Sequence, residues 1–323
     1  MEYRRLGRTG LEVSAVSLGT NSLGSRADKE TSLAVVHQAL DLGVNLIDTA
    51  DIYSGGRSEE IIGEALSGRR QEAVLATKAG FPVAGGPNRR GGSRQHLLRA
   101  VEDGLRRLRT DYIDLFQVHI YDPWTPVEET LRTLEDLMRQ GKVRYVGTSN
   151  YAAWQLALAL GESRLRGLPR FASIQVSYSL VDRTVEREMQ PLCVHEGVSL
   201  LPYYPLAGGI LTGKYGEGAV PQGSRAQKDP SFVRRLDPDR LALARALSEI
   251  AREAGASPAA LSIAWLMRRP AVASVVVGAT SPEQVEMNLA ALDVSAEDAV
   301  FAALDAESTP FRDGPPFASY SLD

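Results

Sequence analysis

The chain has almost no cysteine, little excess charge and no long apolar run. Its one cysteine among 323 residues, Cys193, excludes an intramolecular disulfide and favours a reducing, cytoplasmic setting. A formal net charge of -4, with 24% charged residues, disfavours binding to nucleic acid or to a membrane surface. No apolar run approaches the roughly 20 residues that span a bilayer, and the N-terminal stretch MEYRRLGRTG lacks the apolar core of a signal peptide. These absences predict a soluble globular protein.

The glycine fingerprint of an open dinucleotide-binding sheet is also missing. Such a sheet carries GxGxxG after its first strand, and the stretch from Leu18 to Gly24, LGTNSLG, does not fit it. Short β-rich apolar runs instead alternate with segments that carry apolar residues at three- and four-residue spacing. Eight such strand–helix units predict an α/β fold, a single (β/α)₈ TIM barrel over residues 1–323, preceded by a hairpin over residues 3–13.

The predicted elements have the following bounds. The strands are residues 13–20, 44–50, 73–78, 113–119, 143–150, 173–177, 198–206 and 274–279. The helices are residues 30–42, 58–66, 94–108, 126–140, 151–160, 184–196, 241–269 (broken near 255–258) and 282–292. Three longer stretches, residues 80–93, 207–239 and 308–323, are expected to be loops that wall a binding site at the C-terminal face of the barrel.

Polar and aromatic residues close strands that are otherwise apolar. Because the carboxyl ends of barrel strands meet at one mouth, we expect these side chains to converge there. They are Asp48, Lys78, His119, Ser149, Asn150, Gln175, Tyr203 and Tyr204, and Tyr53 lies in the loop after Asp48. His37, His96 and His195, by contrast, lie in or near predicted helices and are expected at the surface or in packing contacts. Cys193 is expected in the core, and the arginines between Leu105 and Arg109 on a solvated helix face.

The types of these side chains indicate proton transfer. Tyr53 is a weak acid with a reference pKa of about 10, which a nearby Lys78 ammonium would lower. Asp48 could hold Lys78 charged, and His119 could donate a hydrogen bond to a substrate oxygen. Such a set suits protonation of a carbonyl oxygen while a hydride reaches the carbonyl carbon. It contains no activated Ser or Cys nucleophile and no metal-ligand cluster.

The last predicted strand is followed by a helix whose N-terminus could bind a phosphate group. Ser281 is placed as the N-cap and Pro282 as the first helical residue, which by itself indicates no more than a well-capped helix. However, the helix N-terminus after the eighth strand is also the usual phosphate site of this fold. Lys214 and Arg225, in the loop after the seventh strand, could close over the same phosphate.

Seven stretches resemble the aldo-keto reductases. Two of them, the GKY loop and the GATSPEQ turn, resemble most closely the bacterial branch that is also similar to potassium-channel beta subunits. The seven stretches are GVNLIDTADIY with SEEIIGEAL, VLATKAG, LRRLRTDYIDLFQVH, GKVRYVGTSN, YYPLAGGILTGKY and GATSPEQVEMNLAAL, in order along nearly the whole chain. The resemblance implies reduction of a small-molecule carbonyl compound with NADPH, or alternatively NADH. It also implies Tyr53 as general acid, with Asp48, Lys78 and His119 completing a catalytic tetrad.

The cofactor contacts implied by the resemblance follow the path of a dinucleotide. They are Thr20, Asn21 and Asp48 beneath the cofactor; Ser149, Asn150 and Gln175 at the carboxamide; Tyr203 on the ring; the main chain of Tyr204, Pro205, Leu206, Ala207 and Gly208 at the pyrophosphate; and Lys214, Arg225, Gly278, Thr280, Gln284 and Asn288 at the adenosine and its 2′-phosphate. Tyr204 stands where a serine is usual, and Met287 where a glutamate often contacts adenine.

Two functions stay open at this point. One is an enzyme that reduces aldehydes or ketones, sugar-derived carbonyls among them, to alcohols. The other is a non-catalytic or weakly catalytic nicotinamide-binding regulatory subunit on the same fold. Two loop aromatics, Tyr121 and Trp124, and three tail aromatics, Phe311, Phe317 and Tyr320, either line a substrate pocket or pack against the barrel. Neither the substrate nor the oligomeric state can be read from these residues.

Overall fold

The computed structural model describes residues 1–83, 85–215, 227 and 230–322, with the side chains of residues 230 and 231 excluded. It begins with the expected antiparallel hairpin, in which β1 (Tyr3–Arg5) pairs with β2 (Glu12–Ser14). The prediction of one strand over residues 13–20 is wrong, because residues 13 and 14 belong to the hairpin. Ala15 connects the hairpin to the barrel. Its amide donates to the Glu2 carbonyl beside the hairpin (2.9 Å), and its carbonyl accepts from the Val275 amide in the barrel (2.9 Å).

Parallel strands form a closed eight-stranded barrel in the described part of the chain. They are β3 (Val16–Gly19), β4 (Leu46–Asp48), β5 (Val74–Ala79), β6 (Ile113–Val118), β7 (Val143–Ser149), β8 (Ser173–Ser177), β9 (Ser199–Tyr203) and β10 (Val275–Gly278). Each strand pairs with the next from β3 to β9, and β10 pairs with β3. The barrel closes where the Leu200 amide donates to the Ala271 carbonyl (2.7 Å) and the Leu200 carbonyl accepts from the Ala273 amide (3.1 Å). The predicted (β/α)₈ fold is confirmed.

The helices lie around this barrel. They are α1 (Lys29–Asp41), α2 (Arg57–Ala65), α3 (Arg94–Leu108), α4 (Val127–Arg139), α5 (Ala153–Arg166), α6 (Met189–Glu196), α7 (Pro230–Val233), α8 (Pro238–Glu253), α9 (Pro258–Met267), α10 (Pro282–Leu289) and α11 (Asp298–Glu307). None of these described helices is long and apolar enough to cross a bilayer. The predicted break near 255–258 is confirmed: Gly255 adopts φ +66°, Ser257 caps α9 and Pro258 begins it.

Two helix predictions are wrong in their extent. The helix predicted over residues 184–196 is divided into a 3₁₀ turn (Thr184–Glu186) and α6, and α5 continues to Arg166 instead of ending at residue 160. α11 was not predicted, because the eight strand–helix units account for the barrel without it. Phe301 and Leu304 are buried on this additional helix.

Strand alternation determines which side chains reach the mouth. Leu6 and Val13 of the hairpin pack with interior-facing residues of the barrel and so close its amino-terminal end. Because side chains alternate along a strand, the residue two positions beyond an interior apolar residue also faces the interior, nearer the carboxyl end. The pairs that follow this rule are Leu46 and Asp48, Ala76 and Lys78, Leu115 and Gln117, and Leu201 and Tyr203. The fold therefore directs polar side chains into one end of the barrel.

Candidate active site

A buried ion pair lies at the centre of this end. Lys78 is fully buried, and its Nζ donates to Asp48 Oδ2 (2.7 Å) and to the Thr49 carbonyl (2.7 Å). The two strands that carry the pair are neighbours, with Asp48 opposite Ala76, two residues before Lys78. An ammonium without such partners would be costly to bury. The pair is thus held in one geometry by its own strands.

Two amides hold the other oxygen of Asp48. Gln175 Nε2 donates to Asp48 Oδ1 at 2.8 Å and Gln117 Nε2 at 3.1 Å. The structure therefore places Gln175 against Asp48. Gln117 was not among the residues chosen from the sequence. The sequence IDLFQV could have indicated it, since a glutamine within a mostly apolar strand is expected to be buried and therefore to need a hydrogen-bond partner.

Tyr53 lies beside the ion pair because the loop after β4 turns sharply. The residues from Tyr53 to Gly56 form a 3₁₀ turn, in which Ser54, Gly55 and Gly56 all adopt positive φ. This turn brings the phenol back over the barrel. Tyr53 Oη lies 3.4 Å from Lys78 Nζ, and that nitrogen lies 4.9 Å from the centre of the Tyr53 ring. The structure thus gathers Asp48, Tyr53 and Lys78.

Burial and charge act on Tyr53 in opposite directions. Burial raises the pKa of Tyr53, and the Lys78 ammonium lowers it by less, so the net direction is upward. Lys78 does lower the pKa of Tyr53, as expected. However, burial outweighs this effect, so the predicted net lowering of that pKa is wrong. Burial also opposes the charge on Lys78, yet Asp48 and Tyr53 outweigh that effect and raise the Lys78 pKa. Both groups consequently carry a proton near neutral pH.

His119 lies on the other side of Tyr53. The centres of the two rings are 6.1 Å apart at a steep angle, and Phe81 packs edge-on against His119 at 4.6 Å. Burial, with the Lys78 charge, lowers the pKa of His119 well below its ordinary value. The imidazole is therefore neutral near pH 7 and retains an N–H donor. The four residues expected to form a tetrad do meet at this mouth.

Amide and hydroxyl groups form a second set around the same mouth. Asn150 Nδ2 donates to the His119 carbonyl (3.0 Å) and to Ser149 Oγ (3.0 Å), and Tyr203 Oη donates to Asn150 Oδ1 (2.8 Å). Ser149 Oγ in turn donates to the Gln175 carbonyl (3.0 Å). Asn150 adopts φ +58°, a conformation that asparagine tolerates better than most residues. These contacts link the ends of β7, β8 and β9.

The loop after β9 runs through several positive φ values. Tyr204, Ala207, Gly208 and Gly209 all lie in this region, so the strand predicted to reach residue 206 ends at Tyr203 instead. Pro205 and Leu206 lie within this loop, which continues as a 3₁₀ helix (Ala207–Thr212). A Cβ added at Gly209 would lie 2.7 Å from Lys214 Nζ. Glycine therefore lets the lysine amine lie against the loop backbone.

The helix start after β10 has the expected shape. Ser281 is the N-cap of α10 and Pro282 its first residue, but Gln284 Oε1 provides the capping contact, accepting from the Thr280 amide (2.9 Å) and hydroxyl (3.1 Å). Asn288 Nδ2 donates to the Gly278 carbonyl (3.3 Å).

The other predicted cofactor contacts lie in two loops. Thr20, from the loop after β3, donates through its hydroxyl to the Asp48 carbonyl (2.9 Å), and exposed Asn21 accepts from Arg26. Arg225 lies outside the described residues.

Aromatic residues from distant segments cover the mouth. Tyr320 of the C-terminal tail packs against Phe81 (5.8 Å) and Tyr203 (6.5 Å), and Phe317 packs against Tyr204 (5.7 Å). Tyr121 instead packs against Tyr151 and Trp154, and Trp124 is exposed beneath the Arg90 guanidinium. Phe81 was not chosen from the sequence, since a loop aromatic has no preferred partner. Among the described residues, no cluster of side chains could hold a metal ion.

Comparison with known proteins gives a consistent result over most of the chain. The model of the aldo/keto reductase family matches residues 15–308. A probable voltage-gated potassium channel subunit beta of Arabidopsis thaliana is 38% identical over 302 residues, 91% of this chain and 92% of that protein. L-glyceraldehyde 3-phosphate reductase of Escherichia coli (strain K12) is 36% identical over 306 residues, 91% and 88% of the two chains. Aldo-keto reductase YhdN of Bacillus subtilis (strain 168) is 34% identical over 294 residues, 88% and 87%.

Proposed function

The chain belongs to the aldo/keto reductase family, and from that premise we propose that it reduces aldehydes or ketones to alcohols with NADPH, acting as one barrel domain over residues 1–323. The observation that carries the proposal is the position of Lys78 Nζ. This one buried nitrogen contacts both the Asp48 carboxylate (2.7 Å) and the Tyr53 hydroxyl (3.4 Å). A structural ion pair would not require a half-buried phenol beside it.

The residues around the mouth fit a nicotinamide dinucleotide. Ser149 and Asn150 offer hydroxyl and amide groups that match a carboxamide, next to the ring of Tyr203. Gln175, whose Nε2 donates to Asp48, would contribute its side-chain oxygen to the same carboxamide. The left-handed loop over residues 204–209 has Lys214 against its backbone, which suits a phosphate group. These contacts support binding of NADPH. A preference for NADPH over NADH would come from the predicted contacts of Lys214 and Arg225 with the 2′-phosphate.

In the proposed reaction, each residue of the tetrad has a defined task. A bound nicotinamide supplies the hydride that adds to the carbonyl carbon. Tyr53 Oη donates its proton to the carbonyl oxygen, and the O–H bond of the tyrosine breaks as that of the alcohol forms. The Lys78 ammonium stabilises the resulting phenolate, and Asp48 keeps that ammonium charged and in position. The neutral His119 ring donates a hydrogen bond that orients the carbonyl oxygen.

A regulatory subunit is the second candidate. It is favoured by one observation, namely that the relatives include a probable voltage-gated potassium channel subunit beta at 38% identity. The complete set of Asp48, Tyr53, Lys78 and His119 in one place supports the enzyme instead.

A steady-state assay separates the two candidates. The protein is mixed with NADPH, or separately with NADH, and a panel of aldehydes, ketones and sugar-derived carbonyls. L-glyceraldehyde 3-phosphate is included because a relative is named for its reduction. We expect NADPH oxidation that depends on both protein and carbonyl, with a lower KM for NADPH than for NADH. Tight NADPH binding without turnover of any carbonyl would support the regulatory subunit.

A further inference from the structure

One buried carboxyl at the mouth is not used by the proposed reaction. Asp51 lies two residues before Tyr53, is 7% exposed, and its amide donates to the Lys78 carbonyl (3.0 Å). Neither of its carboxyl oxygens has a hydrogen-bond partner of standard geometry among the described residues. A buried carboxylate without a donor is costly, so an acid in this position calls for an explanation.

The charged groups around Asp51 are already matched with one another. Glu59 on α2 is buried, and its two oxygens accept from Arg107 Nε on α3 (2.6 Å) and from Thr77 Oγ1 on β5 (2.6 Å). The expectation that Arg107 lies on a wholly solvated face is therefore wrong. Lys78, the next residue of β5, is paired with Asp48. Two cations thus face two carboxylates, and an ionised Asp51 would be a third negative charge without a counterion.

The same turn connects this cluster to Tyr53. Gly56 ends the turn that begins at Tyr53, and a Cβ added there would lie 2.9 Å from Arg107 Cδ. The Arg107 side chain therefore packs directly beneath the turn. Burial, with the Glu59 charge, raises the pKa of Asp51 to about 8, against smaller lowering effects of Arg107, the Ile52 amide and Lys78. Asp51 consequently holds a proton at neutral pH.

We propose that Asp51 is a positioning residue of the proposed reaction, which as a neutral acid keeps the charges around Tyr53 balanced and on ionising weakens Tyr53 as a proton donor. The physical reason is that added negative charge near a phenol disfavours loss of its proton. This inference rests on the proposed role of Tyr53. It gives the enzyme an alkaline limit near pH 8, below the limit that loss of the Tyr53 proton itself would set.

The first test compares wild type with Asp51→Asn, a neutral side chain of the same shape. The measurement is kcat/KM for carbonyl reduction from pH 6 to 9.5. We expect the ratio of variant to wild type to rise severalfold with pH, with a midpoint near the Asp51 pKa of about 8. Asp111→Asn is the matched control, because exposed Asp111 lies before β6 at the opposite end of the barrel. A ratio for Asp51→Asn that is as flat as that of the control would overturn the proposal.

The second test needs no turnover and therefore separates this inference from the proposed function. An unfolded aspartate loses its proton near pH 4, whereas folded Asp51 keeps it to about 8. The folded state thus binds an extra proton between these values, and wild-type stability falls as pH rises through that window. The denaturation midpoint of Asp51→Asn, relative to wild type, should therefore increase from pH 5 to 8 and then level off. A constant difference would show that Asp51 is ionised throughout. Asp51→Ser, also neutral, replaces the asparagine variant should that variant not fold.

Absence of carbonyl turnover by the wild type, combined with the expected shift in midpoints, would reject the proposed function and with it the positioning role. It would leave only the neutral state of Asp51. Turnover with flat results in both tests would reject the inference and retain the reductase.

Discussion

Tyr53→Phe is expected to lose carbonyl reduction by about 10²–10⁴-fold in kcat, the usual contribution of a general acid. The variant keeps the ring that packs near His119 and removes only the hydroxyl that contacts Lys78. Because the amide and hydroxyl groups of Ser149, Asn150 and Tyr203 bond to one another and not to Tyr53, NADPH affinity should change little. Steady-state kinetics measures the first effect, and quenching of protein fluorescence by NADPH measures the second.

Tyr112→Phe is the matched control for this experiment. Tyr112 precedes β6 at the amino-terminal end of the barrel, and its hydroxyl donates to Gln71 (3.3 Å) at the surface. The control should retain wild-type kcat and NADPH affinity. Equal activity in Tyr53→Phe and wild type would remove Tyr53 from the role of proton donor. A large loss of NADPH affinity in the variant would instead assign Tyr53 to cofactor binding.

Lys78→Met is expected to lower both activity and stability. Methionine fills a similar volume but leaves the Asp48 carboxylate buried without its counterion, while the amides of Gln117 and Gln175 still donate to one of its oxygens. Breaking a buried ion pair in this way typically costs about 3–5 kcal/mol. The free energy of unfolding in denaturant measures that cost, and steady-state kinetics measures the loss of turnover.

A double variant and a surface variant make this test specific. Asp48→Asn combined with Lys78→Met removes both charges, so it should recover part of the lost stability while staying inactive. Lys29→Met breaks the half-exposed pair of Lys29 with Glu64 and should change stability by about 1 kcal/mol or less. If Lys78→Met were as mild as Lys29→Met, the buried pair would not hold the mouth together.

The barrel and three polar residues at its mouth were predictable because they follow from local periodicity, whereas Tyr53 lies in a loop and the roles of the four residues were implied by the resemblance to the aldo-keto reductases. Asp48, Lys78 and His119 are recognisable as polar residues at, or one residue from, the end of an apolar strand, and parallel strands bring such residues to one end. The hydrogen bonds inside the mouth were not predictable in the same way. That Gln117 and Gln175 share one oxygen of Asp48 depends on which strands are neighbours and on their register.

The features that could not be predicted depend on contacts between residues far apart in the sequence. Arg107 looked solvated because its neighbours on α3 are charged, yet Gly56 lets it pass beneath the Tyr53 turn to reach Glu59. The net pKa of Tyr53 depends on burial, which no spacing of residues reveals. Similarly, the contact between Phe81 and Tyr320 joins segments far apart in the chain. The tail aromatics were chosen from the sequence, but loop aromatics carry no periodic signal that predicts their partners.

Transfer of deuterium from the cofactor to the product tests the central claim most directly. The protein is incubated with NADPH deuterated at the hydride-donating carbon and a carbonyl compound that it turns over in the panel assay. The alcohol is then analysed by mass spectrometry and NMR. We predict one deuterium on the former carbonyl carbon and none on the hydroxyl, whose proton comes through Tyr53 from water. Alcohol formed without deuterium at that carbon, or NADPH oxidation without formation of the alcohol, would contradict hydride reduction at the Asp48–Tyr53–Lys78–His119 site.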